Sequence, residues 1–194
     1  MSDIQTIWFR KIQKDDLELI MEWRLSEHID RFMKTSPKLD IVKQSNWYHS
    51  NIKSGKEIRF MIMQDHKPIG NVYYNSIDRL KGELNGPGWF IAEKSKITFK
   101  DIINIYGTSL YYGFYVLNMN KLYGEVMREN NGVKKIIELF GLKLIREQSS
   151  IVEKNGITKI FDLYAITRSE FDDIRIDYKI LKIVLSEISY VNPL

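Results

Sequence analysis

The sequence predicts an α/β (α+β) fold in which helices flank a mixed central sheet of about seven strands. The main support is one strand–helix–strand stretch, with a strand at 89–92, a long helix at about 99–117 and a second strand at 122–127. A strand, a crossover helix and a second strand form a parallel unit. Segments 89–92 and 122–127 are therefore the expected parallel central strands, and hairpins at 59–74 and 143–167 are expected to extend the sheet.

The outer elements follow from shorter patterns. β-branched and aromatic residues at 6–13 predict a first strand, Asp15 is the expected N-cap of an amphipathic helix, and 41–52 predict another helix. Apolar residues spaced three or four apart in 168–194 predict a terminal amphipathic helix. The chain is thus divided into a domain at 1–167 and a helical C-terminal extension. Two roles are considered for this extension: it covers an edge of the sheet, or it packs against a second copy of the chain in a homodimer.

The composition narrows the classes of function. The chain has 194 residues, which suits one packed domain, and its net charge is only +4 with acidic and basic residues interleaved, so no nucleic-acid partner is expected. It has no cysteine, which excludes disulfides, thiolate metal sites and a cysteine nucleophile, and no metal is expected. Neither a signal-peptide pattern nor an apolar run of membrane-spanning length occurs, so we expect no membrane partner and a cytoplasmic location.

Three segments in the second half of the chain carry a resemblance. They are the run 113–126, which begins Gly-Phe and contains Lys-Leu before a strand, then Asn130, and then 138–142, which contains Phe-Gly. In this order they resemble the second half of the GNAT-type N-acetyltransferases. The resemblance implies the GNAT fold, in which the two parallel central strands splay apart, and it implies acetyl transfer from acetyl-CoA, as co-substrate, to an amine.

A second patch, near the N-terminus, resembles one branch of that family. Residues 22–24 read Glu-Trp-Arg and 31–33 read Arg-Phe-Met. The branch contains ribosomal-protein N-terminal acetyltransferases and, closer to this pattern, the nucleotide-amino-sugar acetyltransferases of the pseudaminic acid pathway. The resemblance implies a small-molecule acceptor, an amino sugar that is nucleotide-linked, and direct attack of its amine on the thioester. The alternatives are acetylation of a protein N-terminus and a GNAT-fold module that binds a ligand without catalysis.

The chain departs from the family where CoA phosphates are usually bound. The family's glycine-rich loop should fall at 98–102, which contains no glycine. Thr98 and Asp101 instead predict a helix-capping box. The helix dipole and nearby lysines still favour an anion, whereas Asp101 opposes it. The expected cofactor-binding residues are Trp89, Phe90, Ile91, Lys96, Thr98, Lys100 and Asn130.

The sequence also offers candidates for the catalytic base and for the acceptor-binding residues. The candidate bases are Glu83, His49 and Asp78, of which Glu83 and His49 are chosen. Each of these two has an ordinary surface role as the competing interpretation, and a water chain can replace a single base. The tyrosine that the amino-sugar branch places seven residues after its motif asparagine is Ile137 here, which has no proton to give. The resemblance to the amino-sugar branch implies that Trp23, Arg24 and Met33 bind the acceptor, and Trp47 and Tyr74 are further expected acceptor-binding residues.

Overall fold

The computed structural model of the chain describes residues 6–38, 40–93, 97–185 and 190–191. These residues form one nine-stranded sheet with helices on both faces. The strands are β1 (Ile7–Lys11), β2 (Ile58–Gln64), β3 (Lys67–Asp78), β4 (Glu83–Ile91), β5 (Lys121–Met127), β6 (Lys143–Lys154), β7 (Ile157–Thr167), β8 (Lys182–Val184) and β9 (Tyr190–Val191). The helices are α1 (Asp16–Leu25), α2 (Glu27–Asp30), α3 (Ile41–Trp47), α4 (Phe99–Tyr111), α5 (Asn131–Leu139) and α6 (Arg168–Asp172). Two of them, α3 and α4, continue as π-helical turns at Tyr48–Lys53 and Tyr112–Val116.

The strand order is β6-β7-β5-β4-β3-β2-β1-β8-β9. Strands β1 to β4 are antiparallel neighbours, β4 and β5 are parallel, and β5 is antiparallel to β7. This confirms the predicted mixed sheet with two parallel central strands. The described residues contain no helix that is both long and apolar enough to cross a bilayer.

The two parallel strands separate soon after they meet. Glu83–Asn85 of β4 pair with Lys121–Tyr123 of β5, and no further pair joins the two strands. Beyond this point β4 stays beside β3 and β5 stays beside β7. Their facing backbone edges therefore have no strand partner among the described residues, and a gap opens through the sheet.

The sheet separates two apolar layers. The larger layer packs under α4 and includes Phe60, Val72 and Tyr74, whereas the smaller one packs under α1 and α3 and includes Met61 and Phe90. Side chains alternate between the two faces of a strand. Consecutive residues of the central strands therefore point into different layers.

The predicted terminal helix is wrong. Helix α6 ends at Asp172, and the following residues 173–181, here called the strap, run along α4 without regular secondary structure. Two side chains of α4 hold this backbone: Asn104 Oδ1 accepts from the N–H of Lys179 at 2.8 Å, and Thr108 Oγ1 accepts from the N–H of Leu181 at 2.9 Å. Strand β8 then pairs in parallel with β1, and β9 pairs with β8, which adds two strands to the predicted seven.

Gly107 of α4 gives a test of this packing. A Cβ at this position would lie 2.4 Å from Cδ2 of the Tyr178 ring in the strap. Although Gly→Ala in a helix interior normally stabilises by about 1 kcal/mol, we expect Gly107→Ala to lower the free energy of unfolding by about 1–3 kcal/mol, because the ring must move. Urea denaturation measures this change.

Gly132→Ala in α5 is the matched control. The added Cβ would meet only Asn130 Oδ1, at 3.9 Å. We expect this variant to be unchanged or more stable by up to about 1 kcal/mol. Stabilisation of both variants to the same extent would contradict the packing of the strap on α4.

Candidate active-site cleft

The gap between β4 and β5 opens into a cleft of about 1040 Å³. Residues from both helical layers line it, so it connects the two faces of the sheet. Its α4–α5 half is lined by Trp89, Ile97, Ile102, Tyr106, Asn130, Lys135 and Ile136. Its α1–α3 half is lined by Arg24, Lys34, Trp47, Glu57, Arg59, Tyr73 and Glu125.

The α4–α5 half is mainly apolar. The Trp89 and Tyr106 rings lie 6.0 Å apart and form one wall. Asn130 caps α5, since its Oδ1 accepts from the Val133 N–H at 3.3 Å, as the sequence predicted. Lys135 is exposed at the rim, on the first turns of the same helix. This half can enclose an extended, largely apolar chain and present one cation at its mouth.

The α1–α3 half is charged. Arg59 is only 9% exposed, and its Cζ lies 4.8 Å from the centroid of the Trp47 ring and 4.7 Å from that of Tyr73. Its Nη2 donates to Glu57 Oε2 and its Nη1 to Asn71 Oδ1, both at 3.3 Å. Burial lowers the pKa of the guanidinium, while the nearby Tyr73 and Glu57 oppose this effect. Arg59 is therefore a fixed cation on the cleft wall.

A carboxylate stands close to the point where the strands separate. Glu125 lies two residues beyond Tyr123, the last β5 residue that pairs with β4. It forms an ion pair with Lys34 and accepts a hydrogen bond from Ser150 Oγ at 3.0 Å. The loop that carries Lys34 is held by the buried Lys154, whose Nζ donates to the Met33 carbonyl at 3.1 Å. Glu125 thus has a fixed position between the two halves.

The structure brings together seven of the fourteen predicted site residues. They line the one cleft from both sides: Arg24, Met33 and Trp47 in the α1–α3 half, and Trp89, Phe90, Ile91 and Asn130 along β4 and α5. Ile137, which replaces the branch's tyrosine, also lines the cleft. The structure therefore places predicted cofactor and acceptor residues in one continuous space.

Two predicted acceptor residues lie in the core instead. Trp23 is 7% exposed and meets the Phe90 ring edge-on at 6.2 Å, so it supports the cleft wall from behind. Tyr74 is fully buried in the α4 layer, and its hydroxyl donates to the Ser109 carbonyl at 2.7 Å. Alternation along β3 places Tyr73, not Tyr74, in the cleft. We correct both assignments accordingly.

Both candidate bases also lie outside the cleft lining. Glu83 begins β4 and pairs in register with Lys121, at the end where the strands are still together. His49 is exposed on the π-helical turn after α3. Glu125, which the sequence analysis did not single out, is a carboxylate that does line the cleft.

The predicted phosphate-binding end of α4 is already engaged. Thr98 and Asp101 form the predicted capping box, in which Asp101 Oδ2 accepts from the Thr98 N–H at 2.9 Å. Lys100 pairs with Asp177 of the strap at 2.6 Å. Lys96 lies outside the described residues. Among the described residues no group of three or more potential metal ligands occurs.

Solved structures share this architecture. A spermidine N-acetyltransferase from Vibrio cholerae, in complex with CoA and spermine, aligns with a TM-score of 0.73 at 20% sequence identity, covering 87% of this chain and 99% of that chain. A chimeric form of the Vibrio cholerae enzyme gives a TM-score of 0.74 at 21% identity, covering 87% of this chain and 99% of its own. A dodecameric structure of the enzyme gives 0.70 at 19%, covering 87% and 97%.

The chain has the GNAT fold. No protein-family profile matches the sequence, and no curated protein matches it. These structural neighbours with the GNAT fold are spermidine enzymes, whereas the sequence motifs resemble those of the amino-sugar branch. The neighbours therefore support the predicted fold and give no support to that branch.

Proposed function

We propose that the chain is an acyl-CoA-dependent N-acyltransferase that moves an acetyl group from acetyl-CoA to the amine of a small molecule. The observation that carries this proposal is the separation of β4 from β5 in a fold shared with N-acetyltransferases. One of those neighbours is described as a complex with CoA and spermine. The gap is where an acyl donor and an amine, entering from opposite faces of the sheet, would meet.

The α4–α5 half suits the pantetheine arm of CoA. Beyond Asn85 the β5-facing edge of β4 offers backbone groups without a strand partner in the described chain, and an extended ligand with amide groups can bind such an edge. Trp89 and Ile91 supply an apolar wall. Acetyl-CoA supplies the activated acyl group when it is bound, and Asn130 and Lys135 stand at the rim, where its polar end would emerge.

The α1–α3 half supplies what the amine requires. An ammonium group must lose a proton before it can attack a thioester, and a positioned carboxylate can accept that proton. Glu125 is the cleft carboxylate next to the strand separation, and Lys34 and Ser150 fix its orientation. We assign it the role of general base for direct attack in a ternary complex.

The identity of the acceptor is a finer question. The motif resemblance favours an amino sugar, nucleotide-linked, with a protein N-terminus as the alternative. The neighbours instead act on spermidine. Acetylation assays with each of these three classes of amine separate them. Association with further copies of the chain, expected from the sequence as a homodimer, also stays a proposal.

A second candidate function is a GNAT-fold module that binds a partner without catalysis. It is favoured by the state of the α4 N-terminus, where Thr98 and Asp101 use each other's capping groups and Lys100 is neutralised by Asp177. Fewer donors and less positive charge then remain for a pyrophosphate. Binding of acetyl-CoA therefore distinguishes the two candidates.

Calorimetric titration with acetyl-CoA, repeated on two Asn130 variants, is the deciding experiment. We expect micromolar binding that weakens by about tenfold in Asn130→Ala, because the side chain at the rim is lost. Asn130→Ser keeps an N-capping hydroxyl and so retains the stability of α5. If acetyl-CoA binding weakens equally in both variants, the cause is the loss of the Asn130 side-chain amide and not a loss of helix capping. No binding by the unmodified protein at millimolar acetyl-CoA would favour the non-catalytic module.

A further inference from the structure

The charges in the α1–α3 half of the cleft do not balance. Three cationic side chains face two carboxylates there, and each carboxylate already has a partner: Glu57 lies 3.3 Å from Arg59, and Glu125 pairs with Lys34. Arg24 has no carboxylate partner among the described residues; its Nη2 donates to the Thr35 carbonyl at 2.9 Å and to Thr35 Oγ1 at 3.2 Å. One guanidinium on this wall is therefore uncompensated.

Arg59 places a second guanidinium on the same wall. Its buried Nε has no hydrogen-bond partner among the described residues, although the guanidinium itself is held against the Trp47 and Tyr73 rings. Arg24 and Arg59 both line this half of the cleft, and burial, with a smaller contribution from the charge of Arg24, lowers the pKa of Arg59. With one positive charge in excess beside a second guanidinium, this wall attracts an anion.

We infer that the amine acceptor also carries an oxyanion, a carboxylate or a phosphate, which binds at Arg24 and Arg59. This inference rests on the proposed function, since it concerns the substrate of the same cleft. A guanidinium offers a planar set of donors that matches either oxyanion. A polyamine, which carries only positive charge, would meet a wall of the same sign and bind poorly.

Matched pairs of acceptors test the inference. Ethanolamine is compared with 2-aminoethyl phosphate, and β-alaninamide with β-alanine, and spermidine serves as the polycationic probe. Release of CoA thiol from acetyl-CoA can be followed directly, because the protein has no cysteine to contribute a background. We expect the anionic member of at least one pair to have a kcat/KM at least about tenfold higher, and spermidine to be the poorest acceptor. The pair that responds distinguishes phosphate from carboxylate.

Arg24 is the residue to vary, because it is only partly buried and its removal leaves no carboxylate unpaired. We expect Arg24→Ala to reduce the advantage of the anionic acceptor by about tenfold or more and Arg24→Lys to retain part of it. Arg175→Ala removes an exposed arginine on the strap, outside the cleft lining, and should leave the ratio unchanged.

The outcomes separate this inference from the proposed function. Calorimetric binding of acetyl-CoA is measured on the same preparations. A protein that binds acetyl-CoA but prefers spermidine, or shows no difference within either pair, overturns the acidic-acceptor inference alone. An anion preference that Arg24→Ala does not change also overturns it. A protein that does not bind acetyl-CoA overturns the proposed function, and the acceptor inference falls with it.

Discussion

Replacement of Gly124 by leucine is expected to abolish acyl-CoA binding while the protein stays folded. Gly124 is the first β5 residue beyond the paired segment, and it lines the cleft. A Cβ built there meets no heavy atom within 4 Å, so a side chain would extend into the open gap. The leucine would occupy the space that we assign to the pantetheine arm. We expect the Kd for acetyl-CoA to rise at least about a hundredfold, which corresponds to roughly 3 kcal/mol.

Calorimetric titration and thermal melting together test this prediction. Glycine weakens a strand interior, so leucine should leave the melting temperature unchanged or slightly higher. Gly124→Ala is the graded control, since a single methyl group fills little of the gap and should weaken binding far less. A folded Gly124→Leu protein that binds acetyl-CoA as well as the unmodified chain would show that the donor binds elsewhere.

Local patterns were sufficient to predict the central part of the fold. The capping boxes and the hairpin signals involve residues close in sequence, and the structure contains the predicted Thr98–Asp101 box and the Asn130 cap. The prediction of a C-terminal helix failed because the apolar residues of this segment fit both a helical and an alternating spacing. Ile174, Tyr178 and Leu181 fit a helical spacing, yet Ile174, Ile176 and Tyr178 also alternate, and all four pack on the main core without forming a helix. The segment's conformation is set by its contacts with α4, which is distant in sequence and therefore could not be taken into account by a local pattern.

Prediction of the cleft residues requires knowing which face of the sheet each strand residue points to, and an error of one residue reverses that assignment. The sequence analysis chose Tyr74 where the structure uses Tyr73, although both lie on a correctly predicted strand. A usable signal existed for Glu125. Leu122 and Val126 are apolar and buried in the α4 layer, so the residue between Gly124 and Val126 had to point to the opposite face.

The position of the strand separation could not be read from the sequence. It is set by where β4 leaves β5, between Asn85 and the residues that follow, while β4 remains paired with β3. The sequence shows carboxylates near both ends of the central strands. Only this tertiary pairing decides that Glu83 lies at the closed end and Glu125 at the open end. The choice of base therefore depends on the sheet register, and the next prediction tests that choice.

Glu125→Gln is expected to lower kcat by about a hundredfold, the scale at which a positioned general base contributes. Glutamine has nearly the same shape and can still accept from Ser150 Oγ, so the fold and acetyl-CoA binding should be retained. The loss should be greatest at low pH, where the acceptor amine is most fully protonated and depends most on a base. Steady-state kinetics across a pH series, with acetyl-CoA affinity measured alongside, give both quantities.

Glu83→Gln is the matched control, because it makes the same chemical change on β4 at the closed end of the sheet. We expect its kcat to stay within about twofold of the unmodified protein, as is usual for a carboxylate outside the reacting groups. A similar loss in both variants would indicate a general effect of removing a charge near the central strands. If only Glu83→Gln lost activity, the base would lie at the closed end, and the proposed meeting point of amine and thioester in the open gap would be wrong.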